Sequence, residues 1–174
     1  MMPKKNFKWL SVIAIYCLVF SGCGYRLIGT NSALPPHIKT IHIPVFENTS
    51  AQPEIHRQLT SFVLQSFISD GRLKIVKKEE ADLVVDGKLS YYNLRNVAFS
   101  SQDLVSDIII ELHIDLKVID QVKNEIFMEK ELKQQWDYKS TPDLADTETA
   151  RLDALDQAYI DFGNRIVSLI IDQF

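Results

Sequence analysis

Ile108, Ile110, Leu112, Ile114, Leu116 and Val118 alternate with Ile109, Glu111, His113, Asp115, Lys117 and Ile119. Period two held over this length predicts an antiparallel strand with one face on a core and the other toward water. Residues 83–94 read the same way, with Leu83, Val85, Leu89 and Tyr91 inward and Asp86, Lys88, Ser90 and Tyr92 outward. Gly87 marks a bulge in this strand. After a turn over 120–124, residues 125–138 return with Ile126, Met128, Leu132 and Trp136 inward. Residues 38–46 and 73–76 are shorter strand candidates. In the first, Ile41, Ile43 and Val45 share a face, and Pro44, which cannot donate to a ladder, places it at a sheet edge.

Two segments switch to the helical period. Ile55, Leu59, Phe62, Val63 and Phe67 form one stripe, with Pro53 and Glu54 at its start and Asp70-Gly71 at its stop. Leu155, Tyr159, Phe162, Ile166 and Leu169 form a second, capped by Asp146 or Thr147 with Glu148 in the first turn. Stripes of this kind most often cover a sheet. The element order is β-α-β-β-β-β-α. The chain therefore reads as an α+β two-layer sandwich, with two helices on one face of a mostly antiparallel sheet of four or slightly more strands.

The N-terminus follows other rules. Lys4, Lys5 and Lys8 precede a 12-residue apolar run, Trp9 to Phe20. As a helix it reaches about 18 Å, short of the roughly 30 Å hydrocarbon core, so it reads as a secretory segment rather than a span. It ends in Val19-Phe20-Ser21-Gly22-Cys23, which resembles the lipobox of bacterial lipoproteins, with Phe20 a mild departure. The resemblance implies cleavage before Cys23 and lipid on its sulfur. Several acyl chains on one residue make a lasting anchor. Cys17 leaves with residues 1–22, so the mature chain has neither a free thiol nor a disulfide. Gly24, where an aspartate favours inner-membrane retention in enterobacteria, points to the outer membrane. Residues 23–37 then form a lipidated tether, and 38–174 a single domain.

Charge changes the picture once the leader is removed. The full chain carries −4, but residues 1–22 hold three lysines and no acid, so the remaining 152 residues set 16 bases against 23 acids. An acidic domain lacks the basic face that nucleic-acid binding needs. Composition is otherwise that of a globular domain, 46% apolar and 24% charged.

Chemistry-bearing patterns are sparse. His37, His42, His56 and His113 are scattered, with no metal-ligand spacing, and no nucleophile elbow or phosphate loop occurs. Glu111 and Asp115 share a strand face about 13 Å apart, too far for paired-carboxylate hydrolysis. Arg72, Lys74, Lys77, Lys78 and Lys88 are interleaved with Glu79, Glu80, Asp82 and Asp86, which reads as a mixed solvated surface. Asn48-Thr49-Ser50 is a formal glycosylation acceptor and reads as chance. No catalytic residue, metal or cofactor is expected beyond the lipid on Cys23.

Cys23-Gly24-Tyr25-Arg26-Leu27, Leu34-Pro35, residues 38–49 (Ile-Lys-Thr-Ile-His-Ile-Pro-Val-Phe-Glu-Asn-Thr) and residues 81–89 (Ala-Asp-Leu-Val-Val-Asp-Gly-Lys-Leu) resemble, in order, LptE, the lipopolysaccharide-assembly lipoprotein family. The resemblance runs over nearly all of 23–174. It implies a non-enzymatic outer-membrane lipoprotein that plugs the LptD β-barrel and binds lipopolysaccharide. It also implies basic ligand residues near two loops, here 93–107 and 137–146, which makes Arg95 and Lys139 the candidates. The alternative reading is an accessory or pilot lipoprotein of another outer-membrane assembly.

Overall fold

The computed structural model describes residues 34–99 and 105–173. The leader and Cys23 lie outside them. The elements are β1 (Thr40–His42), β2 (Glu47–Asn48), α1 (Ile55–Asp70), β3 (Lys74–Ile75), a 3-10 turn (Lys78–Glu80), β4 (Leu83–Phe99), β5 (Val105–Asp120), β6 (Glu125–Lys139) and α2 (Leu144–Ile171). The fold is α+β, with the expected order of elements. The three long strands pair antiparallel, β4-β5-β6, and the short ones join in parallel, giving one six-stranded mixed sheet in the order β3-β1-β4-β5-β6 with β2 also on β4.

The expected core is the observed one along β5. Ile110, Leu112, Ile114, Leu116 and Val118 are each at most 1% exposed. Both helices pack on that side. They run side by side in the same direction, Phe62 on Tyr159 with ring centroids 5.5 Å apart and Gly163 against Ser66. Arg72 ties their C-terminal ends by bonding Asp70 and, at 2.6 Å, Asp172. Gly71 closes α1 with φ 73° and its N–H donated to the Phe67 carbonyl. No described helix is long and apolar enough to cross a membrane.

Five details depart from the sequence reading. β1 is interior rather than an edge, because only three residues pair and Pro44 falls in the gap before β2. That gap reverses the alternation, so Val45 is exposed and Phe46 enters the core, where its N–H donates to Thr60 Oγ1. The ladder of β4 is irregular at Ser90 and again between Asn96 and Phe99, not at Gly87, and the first irregularity turns Tyr91 outward and Tyr92 toward the helices. A register shift beside Val118 likewise puts Ile126 outside and packs Phe127 on the core. The helix starts also move. Pro53 and Glu54 precede α1, with Glu54 at φ 69°. For α2 the cap is Asp143, which accepts from the N–H groups of Ala145 and Asp146.

The polar ends of the sheet are tied down by side chains. His37 Nε2 donates to Asp120 Oδ2 at 2.7 Å, and Asp120 Oδ1 accepts from the N–H groups of Val122 and Lys123, closing the β5–β6 turn. Asp82 accepts from the Lys39 and Thr40 N–H groups and the Thr40 hydroxyl. Asn48 is committed within its own loop, to Gln52 and Ser50, as an Asx-type turn.

Candidate functional site

The face of β4, β5 and β6 opposite the helices is charged, and no described element covers it. Register sets its rungs: Asp86–Lys117–Glu129, Lys88–Asp115–Glu131, Tyr91–His113–Lys133, Asn93–Glu111–Gln135 and Arg95–Ile109–Asp137. Opposite charges meet across the strands, as in Lys88–Asp115 at 3.1 Å. Glu111 and Asp115 do share this face.

His113 is bound more firmly than an outward histidine reading implies. It donates to Glu111 at 2.9 Å, lies 3.9 Å from Glu131, and its ring sits 4.6 Å from that of Tyr91. The hydrogen bond from His113 holds the Glu111 carboxyl below its ordinary range. The Tyr91 contact exists because of the bulge at Ser90, which period-two counting passes over.

Arg95 and Lys139 come together on this same face at its distal end. Neither sits on a loop. The hairpin strands extend further than the sequence reading gives them, so β4 runs through 93–99 and β5 through 105–107, with Phe99 opposite Val105, and 137–139 belong to β6. The cause is that Asn93, Asn96 and Asp107, residues with loop character, are held by cross-strand partners. Arg95 and Lys139 are two strands and one rung apart, about 12 Å from ladder spacings. Both are exposed, and neither is held in an ion pair among the described residues. Ile109 lies between them, with Asp137 beside it.

The five bases of 72–88 do not form one patch. Arg72 is consumed at the helix ends. Lys78 and Lys88 line a groove of about 670 Å³ at the proximal end of the outer face, together with Val45, Asp86, Lys117 and Glu129. Its charges are mixed, as the sequence reading expected. A smaller cleft of about 260 Å³ lies between Phe127, Met128 and Leu169. Among the described residues no three His, Cys, Asp or Glu side chains are placed to hold a metal. His42 Nδ1 is committed to the Val76 carbonyl at 3.0 Å.

The model of one protein family, LptE, described as lipopolysaccharide-assembly, matches residues 38–170. No curated protein sequence matches the chain. Solved structures share the fold at low identity. Rare lipoprotein B from Shewanella oneidensis is 15% identical with a TM-score of 0.51, over 71% of this chain and 90% of that one. A hypothetical protein from Chlamydia trachomatis is 9% identical with a TM-score of 0.54, over 76% and 98%. A Xanthomonas campestris protein is 14% identical with a TM-score of 0.52, over 82% and 91%.

Proposed function

The chain belongs to the LptE lipopolysaccharide-assembly family, and from that premise we propose that it is a non-enzymatic outer-membrane lipoprotein. In this reading lipid on Cys23 anchors it, it plugs the LptD β-barrel, and it assists passage of lipopolysaccharide to the outer leaflet. The observation that carries the reading is the family match, which spans 38–170 and thus both helices and every strand.

Physical chemistry supports each part. A barrel lumen is polar and water-lined. A domain whose long sheet face alternates Asp86, Lys88, Glu111, Asp115 and Lys117 loses little by meeting such a wall. A membrane tether raises its effective concentration there. Lipopolysaccharide is an anionic amphiphile. Arg95 and Lys139, on one face and about 12 Å apart, can contact separate anionic groups of one headgroup, and Ile109 between them offers an apolar contact. No bond is made or broken in this role.

The test is affinity capture of the lipidated chain from detergent-solubilised envelope, with mass spectrometry of the partners. LptD in stoichiometric yield supports the reading. A secretin or BamA in its place assigns the chain to another assembly and overturns it.

A further inference from the structure

The two-residue β3 ends the sheet on one side, and the long strands leave two edges open among the described residues, that of β6 and that of β4 beyond Leu89. Their compositions differ. Along β6 from Glu129 to Lys139, six of eleven residues are charged. That is the usual way a protein keeps an edge from pairing with another chain. The β4 edge from Ser90 to Val97 reads Ser-Tyr-Tyr-Asn-Leu-Arg-Asn-Val, with one charge, no lysine and no proline. Tyr91, Leu94 and Val97 stand 40%, 41% and 41% exposed along it. The chain already uses this edge itself. β2 adds to it in parallel at Lys88 and Leu89, and the Thr49 N–H donates to the Leu89 carbonyl at 2.9 Å. β2 then ends, while β4 runs on to Phe99.

We propose that the Ser90–Val97 edge of β4 receives an extended strand of the barrel subunit, continuing the sheet where β2 leaves it. Main-chain hydrogen bonds supply the affinity, and apolar side chains of the incoming strand meet Tyr91 on the charged face and Leu94 on the helix face of the sheet. The proposal rests on the barrel partnership above. A second copy of this chain fits less well. Eight residues of edge are about 27 Å long and bury roughly 300 Å² a side, well under the ~800 Å² per partner of a stable free-standing complex. As one part of the larger contact of a plug with its barrel, that area is sufficient.

Hydrogen exchange read by mass spectrometry tests this, on the full lipidated chain alone and in its detergent-purified complex. Amides within 90–97 are expected to exchange at least about tenfold more slowly in the complex, while the charged β6 edge keeps its rate. Leu94→Lys and Val97→Lys are expected to lower recovery of the barrel about tenfold without changing the Tm of the chain, and Leu94→Val to restore it. A complex that forms with 90–97 exchanging as in the free chain overturns the proposal. So does equal slowing of both edges, which is enclosure rather than pairing. Unchanged recovery with both lysine variants does the same, as does protection in the chain alone that grows with concentration, which assigns the edge to a second copy. Failure of the wild-type chain to capture any barrel overturns the partnership itself, and this inference with it.

Discussion

The ring of Phe46 lies flat against the backbone of Gly87, so that a Cβ there would sit 2.6 Å from three ring carbons. Phe46 is 2% exposed and directly precedes β2, the two-residue return of the chain onto β4. Glycine is therefore required at 87 for close approach, not for a bulge. Gly87→Ala must push the ring or the strand aside. Overpacking of this kind costs about 1–3 kcal/mol. Thermal unfolding is expected to show a Tm several degrees lower, recovered when Phe46→Leu is added. An unchanged Tm in the single variant refutes the contact.

Leu112 sits mid-strand on β5 with no exposure. Leu112→Asp buries a carboxylate with no partner, which costs several kcal/mol and exceeds a large part of the stability of such a domain. Circular dichroism is expected to show loss of cooperative unfolding. A folded variant of wild-type stability removes the face assignment of the sheet.

Asp120 links the start of the domain to the β5–β6 turn. Burial raises its carboxyl pKa. The hydrogen bond from His37 and the N–H groups of Lys123 and Val122 outweigh that and hold it below the ordinary range. A depressed carboxyl contributes stability that is present above its unfolded-state pKa, about 3.9, and is lost as pH falls through the folded value. Asp70 and Asp82 are lowered as well. Stability is expected to decline with acidification below about pH 4–5, and Asp120→Asn to flatten part of that slope. Denaturant midpoints at a series of pH values measure it, and parallel profiles for both proteins count against the clamp.

Arg95 and Lys139 share a face without ion-pair partners among the described residues. Charge reversal at both, Arg95→Glu with Lys139→Glu, is expected to weaken lipopolysaccharide binding by about tenfold or more, with a shallower salt dependence than wild type. Superimposable binding isotherms remove both as ligand residues.

Cys23→Ala removes the sulfur that would carry lipid. When the variant is expressed without its barrel, cell fractionation is expected to find it in the soluble periplasmic fraction; among the described residues no helix is long and apolar enough to cross a membrane. Retention in the membrane pellet under those conditions contradicts lipidation.

The long alternation of β5 was legible because a strand buried on one face must place every second residue in the core, and no neighbour can override six such positions. The helical stripes and the Gly71 stop were legible for the same reason, since each is a local pattern with a single low-energy answer. Arg95 and Lys139 were identifiable as residues but not as a pair. Their shared face comes from strands that reach past the loops assigned to them, held by partners remote in sequence. The bulge at Ser90, the interior position of β1 and the Phe46–Gly87 contact follow from pairing between segments roughly 20 to 40 residues apart. Which edge of β4 stays open was also a tertiary outcome, because it depends on where β2 leaves the sheet. Periodicity reports which way a side chain faces relative to its neighbours in sequence. Only the assembled sheet decides what it faces, since that depends on register across strands and on which backbone groups other segments have already satisfied.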